Sequence, residues 1–188
     1  MQFEEDIKKA VEVLNAGGTI LYPTDTVWGI GCDATNAAAV KKIYDLKKRD
    51  DSKALIVLVA TEKEIMQYTA AVDLSLFDYL DTVPKPTTVI YEHGLGFAEN
   101  LTAADGSIAI RICNDDFCKA LIKRFGKPVV STSANISGAP AAPDFLSVSR
   151  PIKEGVDYVV KYRQDDRTPA QPSAIIKWKG GEVIVLRA

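Results

Sequence analysis

Small polar residues follow the buried strand that begins at Val129. Residues 131–138 read Ser-Thr-Ser-Ala-Asn-Ile-Ser-Gly, and most carry a hydroxyl or an amide group. Such side chains offer short donors and acceptors close to the main chain. Ligands of α/β sheets bind beyond the carboxyl ends of strands, but Ser, Asn and Gly are also common in ordinary turns. The stretch is therefore either a polar turn or a loop that binds a ligand.

Two places carry cations that could bind an anion. Lys47 and Arg49 lie at the end of a predicted helix, just ahead of a buried strand, where an ammonium and a guanidinium can hold a phosphate. Cations also suit a helix C-terminus for electrostatic reasons alone. Arg111 lies inside the apolar run 107–112, and a buried arginine is costly unless it is paired. A structural salt bridge and an anionic ligand both satisfy that requirement.

Several common catalytic patterns are missing from the sequence. It has no G-x-S-x-G elbow, no P-loop and no G-x-G-x-x-G. A single histidine, His93, argues against a histidine-based metal site or catalytic triad. The aromatic ring of Trp28, in a glycine-rich loop, suits either the core or a stacking platform.

Composition indicates an ordinary globular protein. The 188 residues predict a single domain over 1–188, and the formal charge of −2 gives no global attraction to nucleic acid or to anionic lipid. The three cysteines form no metal-type pair and indicate a reduced, cytoplasmic setting. The acidic N-terminus does not resemble a signal peptide, and the longest apolar run, 54–60, is too short to span a membrane.

Hydrophobic patterning places these residues on alternating helices and strands. Helices are predicted over 4–15, from Asn36 to the basic segment 47–53, and over 62–70, 73–80 and 115–125. Strands are predicted over 19–22, 54–60, 87–91, 107–112, from 129, and over 157–162, 174–178 and 182–186. The segments 24–32, 94–100, 139–156 and 164–172 are predicted to be loops, the third with a single helical turn. This order predicts a three-layer α/β domain with a mixed sheet.

The same residues resemble a known family. The run 19–31, which contains Pro-Thr-Asp-Thr-Val-Trp-Gly-Ile-Gly, matches P-T-[DE]-T-V-x-G-x-G, and residues 132–138 match T-S-A-N-x-S-G. Together with Lys47-x-Arg49 and Arg111, these motifs closely resemble the YrdC-like family, whose best-known members are L-threonylcarbamoyladenylate synthases. The similarity extends from the first helix to Arg187. It implies a twisted mixed β-sheet flanked by helices, with a concave, positively charged cleft.

The resemblance also implies a reaction. ATP, L-threonine and bicarbonate would give threonylcarbamoyl-AMP and pyrophosphate, and a downstream threonylcarbamoyl transferase would use the product to modify a tRNA adenosine. ATP would be a substrate, with Mg²⁺ held through its phosphates and no metal ligand from protein side chains. The chain resembles the short form of the family, which lacks an extra C-terminal domain.

Residue roles implied by the resemblance fall into two sets. Lys47 and Arg49 would be catalytic, balancing charge as pyrophosphate leaves. The ATP-binding set would be Lys47, Arg49, Lys53, Ser107, Asn135, Pro143 and Arg187. The threonine-binding set would be Thr26, Leu58, Arg111, Ser133 and Ser173.

Some positions depart from the family pattern. Lys53 stands where the family has asparagine, Leu58 where some members have histidine, and Pro143 where some have threonine or serine. These departures keep a second hypothesis open, a paralogue that acts on a different carbamoyl-type substrate. A third hypothesis is a module that binds tRNA or double-stranded RNA through its concave face, although the net acidic charge argues against this as the main role.

Overall fold

The computed structural model describes residues 2–50 and 55–188. Lys53, predicted to bind ATP, lies outside the described residues. The helices are α1 (Glu4–Asn15), α2 (Ala37–Lys47), α3 (Glu62–Tyr68), α4 (Ser75–Thr82), α5 (Asp116–Phe125) and α6 (Arg150–Gly155). The strands are β1 (Ile20–Tyr22), β2 (Gly29–Gly31), β3 (Ile56–Val59), β4 (Thr87–Tyr91), β5 (Ile108–Ile112), β6 (Val129–Ser133), β7 (Tyr158–Val159), β8 (Ala174–Lys179) and β9 (Glu182–Arg187).

All nine of these strands belong to one mixed sheet in the order β7-β1-β2-β6-β3-β5-β4-β8-β9. The pairs β1–β7, β3–β5 and β4–β8 are parallel, and the other neighbours are antiparallel. The predicted mixed sheet is confirmed.

Helices cover both faces of the sheet, which confirms the three layers. On one face, α1 and α5 pack on strand residues such as Tyr22, Leu58 and Val129. On the other face, α2, α3, α4 and α6 pack on residues of the opposite alternation, among them Leu21 and Val57. Successive strand residues point to opposite faces, so each strand contributes to two separate cores. No helix of residues 2–50 or 55–188 is long and apolar enough to cross a membrane.

Capping explains where the site-bearing helix α2 begins and ends. The side chain of Asn36 accepts a hydrogen bond from the Ala39 amide at 3.1 Å, as the predicted N-cap should. At the other end Lys48 adopts a left-handed conformation with φ of 49°. This turn ends the helix between Lys47 and Arg49, so the two cations leave it in different directions.

Two segments predicted to be loops contain regular structure. Residues 29–31 form β2, although glycine disfavours strands, because the segment pairs with β1 on one side and β6 on the other. A Cβ on Gly31 would lie 2.6 Å from the Tyr22 ring and 2.7 Å from the Val130 carbonyl oxygen, so glycine permits close packing here. The segment 139–156 contains the predicted helical element, the six-residue helix α6, which is slightly longer than one turn and packs Ile152 into the core.

Strand boundaries also differ from the prediction at two places. Strand β6 does not stop at the first polar residue, since Ser131 and Thr132 are buried within it and pair with β3 and β2. Because neighbouring strands pair with both edges of β6, its main-chain N–H and C=O groups have hydrogen-bond partners there. The polar side chains therefore do not end the strand. Strand β7 has only two residues, where six were predicted.

Candidate functional site

A cavity of about 250 Å³ lies on the sheet face that α1 and α5 cover only in part. The two helices cover Leu58, whereas Ile56, two residues earlier on the same face, lines the cavity. The loop around Thr26, the loop that leads into β8, and the end of β9 form the walls. Three of its lining residues are arginines, Arg49, Arg111 and Arg187, and we call it the arginine cavity.

Arg111 is held at the base of this cavity by an ion pair. Its side chain is 3% exposed, and its Nη2 donates to Asp25 Oδ1 at 2.9 Å and to Thr26 Oγ1 at 3.2 Å. Its Nε is buried and has no hydrogen-bond partner among the described residues. The salt bridge considered from the sequence is therefore present, and the same arginine also lines the cavity.

Asp25 is fixed from both sides. Its second oxygen, Oδ2, accepts a hydrogen bond from the Asn114 amide at 3.1 Å. The loop that carries it is held by Arg163, which donates to the Thr24 carbonyl at 2.7 Å and to the Asp115 carboxylate at 2.6 Å. Asp25 is not among the site residues predicted from the sequence. The signal was there, because a buried arginine requires a carboxylate and Asp25 lies inside the quoted motif.

Arg187 reaches the cavity from the last strand. Its Nε donates to the Ser173 carbonyl at 3.0 Å and its Nη2 to Ser173 Oγ at 3.4 Å. The Ser173 hydroxyl in turn lies 2.8 Å from Thr88 Oγ1. Burial, and then the neighbouring Arg111, lower the pKa of Arg187. Two guanidinium groups that repel each other in this way favour an anion between them.

Lys47 lies behind the wall of the cavity and does not line it. The side chain is 1% exposed. Its Nζ donates to the Ser133 carbonyl, to the Asn135 carbonyl at 2.7 Å and, weakly, to Asn135 Oδ1 at 3.5 Å. Burial, with Arg49 as the second cause, lowers the pKa of Lys47 to about 8.

Residues 133–139, which we call the Ser133 loop, combine the two alternatives considered from the sequence. Ser133 lines the arginine cavity. Asn135 instead holds the turn, because its Nδ2 donates to the carbonyls of Ile136 at 3.1 Å and Ala139 at 2.7 Å. The Ser137 amide donates to the Lys47 carbonyl at 2.8 Å. One part of the loop thus faces the cavity, and the rest is a polar turn built on α2.

The structure brings together about half of the predicted site residues. Those that line the arginine cavity are Thr26, Arg49, Arg111, Ser133, Ser173 and Arg187. Lys47 and Asn135 lie next to the cavity. Ser107 immediately precedes β5, two residues before Ala109, which lines the cavity. Leu58 is part of the core beneath α1 and α5, and Pro143 is exposed. The ligand contacts of all these residues remain predictions.

Trp28 is a core residue. It is buried, and its ring centroid lies 4.8 Å from that of Phe145. Of the two roles considered for this ring, the structure supports the packing role.

Two more cavities lie beside the arginine cavity. One of about 500 Å³ shares Thr26 and Pro172 with it, and one of about 680 Å³ shares Asp25 with the second. The largest is lined by charges of both signs, among them Glu62, Lys63 and Lys119. We place the candidate site in the smallest of the three because its described lining has three arginines and no carboxylate. No group of three or more metal-ligating side chains occurs within 2–50 and 55–188.

The chain is similar to known proteins in both sequence and fold. The Sua5/YciO/YrdC family model, which carries the description "Telomere recombination", matches residues 12–188. The threonylcarbamoyl-AMP synthase of Stutzerimonas stutzeri is 35% identical over 182 residues, which is 95% of each chain. That of Saccharophagus degradans is 34% identical over 166 residues, 87% of each chain.

Solved structures show the same fold. E. coli YciO superimposes with a TM-score of 0.83 at 22% identity, over 97% of this chain and 88% of that one. P. abyssi Sua5 in complex with L-threonine superimposes with a TM-score of 0.86 at 21% identity, over 98% of this chain. The present chain spans about half of that Sua5, 54% of its length.

Proposed function

Because the chain belongs to the Sua5/YciO/YrdC family, we propose that it is a threonylcarbamoyl-AMP synthase. The observation that carries the proposal is the arginine cavity, in which Arg111 is anchored to Asp25 and lies with Arg49 and Arg187 in one lining. The substrates would be L-threonine, which has a carboxylate, ATP, which has a triphosphate, and bicarbonate, which is itself an anion. A small cavity with three guanidinium groups suits reactants with this much negative charge.

The proposed reaction needs no nucleophile from the protein. The amine of L-threonine adds to the carbon of bicarbonate and, with loss of water, gives a carbamate. A carbamate oxygen then attacks the α-phosphorus of ATP, the bond to the β-phosphate oxygen breaks, and pyrophosphate leaves. The protein must hold the reactants in line and stabilise the developing charge.

We assign the L-threonine carboxylate to Arg111. The guanidinium is held in place by Asp25 and Thr26, which both accept from its Nη2. The hydroxyl groups of Thr26, Ser133 and Ser173 line the same cavity and could bind the amine and the hydroxyl group of L-threonine.

We assign the phosphates of ATP to Arg49 and Arg187, which line the same cavity as Arg111. As the described lining of the cavity contains no carboxylate, Mg²⁺ would be held by the phosphates themselves. When bound, the ion would neutralise charge on the leaving pyrophosphate. The product is an activated acyl group, and a downstream transferase acting on tRNA adenosine would consume it.

The test is threonine-dependent release of pyrophosphate. Purified protein is incubated with ATP, bicarbonate and L-threonine, and pyrophosphate is followed with and without the amino acid. We expect Arg49→Ala to lower this rate by roughly a hundredfold or more, as losses of charge-stabilising groups do. The matched control is Arg124→Ala, which removes an exposed arginine that pairs with Glu4 on the surface.

Two outcomes would contradict the proposal. Pyrophosphate release that requires another amino acid would indicate the paralogue. No amino-acid-dependent release, together with tight binding of tRNA, would indicate the RNA-binding module.

A further inference from the structure

Lys47 is enclosed by the protein although it belongs to the motif expected to hold phosphate. Its side chain is 1% exposed, and it is not among the residues that line the arginine cavity. An ammonium group has three hydrogens to donate. Three oxygens surround it here, the carbonyls of Ser133 and Asn135 and the side-chain oxygen of Asn135.

The main chain of Lys47 holds the same loop. Its carbonyl accepts from the Ser137 amide at 2.8 Å. The end of α2 and the Ser133 loop are therefore joined at Ser133, Asn135 and Ser137. Ser133 is the member of this set that also lines the arginine cavity.

We propose that Lys47 is a positioning residue, which fixes the Ser133 loop so that Ser133 faces the bound amino acid, and that it is not a ligand of the phosphates. The inference rests on the proposed function for the identity of that amino acid. Arg49 lies two residues further on, past the left-handed Lys48, and lines the cavity. The change of direction at Lys48 separates the two cations of the motif into one that faces inward and one that faces the ligand.

Loss of Lys47 would affect the loop before it affected any charge in the cavity. Without the ammonium, the Asn135 carbonyl would lose the Lys47 donor in a partly buried place, which is costly, and the Ser133 carbonyl would keep the Asn135 amide, at 2.9 Å, but lose the charged donor. The loop would shift until they found other donors or water. The lowered pKa of Lys47, about 8, is consistent with an enclosed ammonium that pairs with no carboxylate within residues 2–50 and 55–188.

The first experiment compares Lys47→Met with Arg49→Met by calorimetry, with L-threonine and pyrophosphate as separate probes. Lys47→Met keeps the length of the side chain and removes its donors. We expect it to weaken binding of L-threonine by roughly tenfold or more, because the displaced Ser133 would no longer face the amino acid. The magnitude is the usual effect of one lost hydrogen bond to a charged group. Arg49→Met should weaken binding of pyrophosphate and leave that of L-threonine within about twofold. Lys47→Met with unchanged affinity for L-threonine would overturn the inference.

A second experiment needs no variant and decides the question if Lys47→Met does not fold. In ¹⁵N-lysine NMR of the unmodified protein, an enclosed Lys47 ammonium should give a slowly exchanging signal that does not move when pyrophosphate is added. A signal that shifts as pyrophosphate saturates would contradict the positioning role. If the unmodified protein releases no threonine-dependent pyrophosphate and does not bind L-threonine, the proposed function fails, and the NMR result still decides how Lys47 is used.

Discussion

Three cations that look alike in the sequence have different environments in the fold. Arg111 is paired with a carboxylate, Lys47 donates to uncharged oxygens, and Arg49 lines the cavity. Burial of a charge is tolerated only where the protein supplies partners for it. Asp25 supplies that partner for Arg111, which makes it the residue on which the geometry of the proposed amino-acid site depends.

We expect Asp25→Asn to raise the KM for L-threonine by roughly tenfold or more and to leave the KM for ATP nearly unchanged. The substitution keeps the shape of the side chain but replaces a charge-assisted hydrogen bond to Arg111, worth about 1.5–3 kcal/mol, with a weaker one. Steady-state kinetics with each substrate varied in turn measures the effect. Asp78→Asn, the same change on an exposed helix position, is the control. Equal rises in both KM values would indicate general damage instead.

Among the elements, β2 is the one whose position depends most on the absence of side chains. Gly29 and Gly31 place it between β1 and β6, where the ring of Tyr22 lies across Gly31 and its hydroxyl donates to the Val130 carbonyl at 3.0 Å. The strand continues from the Thr26 loop, so its packing also determines where that loop lies.

Gly31→Ala should destabilise the fold by about 1–3 kcal/mol, because the added methyl group overlaps both Tyr22 and the main chain of β6. Urea unfolding measures the change. A double-mutant cycle with Tyr22→Leu tests the cause, since removing the ring should relieve part of the strain and make the two effects non-additive. Strictly additive effects would show that the ring contact is not responsible.

At the scale of the whole molecule, a three-layer fold leaves one face of the sheet partly uncovered. Helices α1 and α5 bury the strand residues near Leu58 and Val129 and stop short of Ile56 and Ala109. The uncovered floor becomes the cavity. The covered part buries titratable thiols, among them Cys118, whose pKa is raised by burial and by the nearby Cys113.

Stability should therefore depend on pH through Cys118. In the folded state Cys118 stays protonated at a pH where the thiol of the unfolded chain, with a pKa of about 8.5, already ionises. The folded state then binds more protons, so the stabilisation is complete below about pH 8 and is lost as the pH rises further.

The measurement is urea unfolding from about pH 7 to about pH 10, compared with Cys118→Ala. As the pH rises, the free energy of unfolding of the unsubstituted protein should fall relative to that of Cys118→Ala. The lowered pKa of Lys47 makes its contribution to the free energy of unfolding rise with pH above about pH 8. This contribution is the same in both proteins, so it cancels in the difference. A difference that does not vary with pH would contradict the prediction.

The sequence by itself determined the class of the fold and most of its elements. Apolar periodicity is a local property, so it located α1, α2, α5 and the central strands, and Asn36 was recognisable as a cap. The motifs led to the family and to six residues that the fold brings together around the arginine cavity. Local patterns did not reveal β2 or the full length of β6, because those depend on neighbouring strands from other parts of the chain.

Only the tertiary structure decided what each of these residues does. Asp25 and Arg111 are 86 residues apart, as are Lys47 and Ser133. Whether a cation meets a carboxylate, a carbonyl or an open cavity depends on such distant partners, and burial fixes the cost of leaving it unpaired. For this reason Lys47-x-Arg49 is one motif in the sequence, and in the fold it places one cation in the core and the other in the cavity.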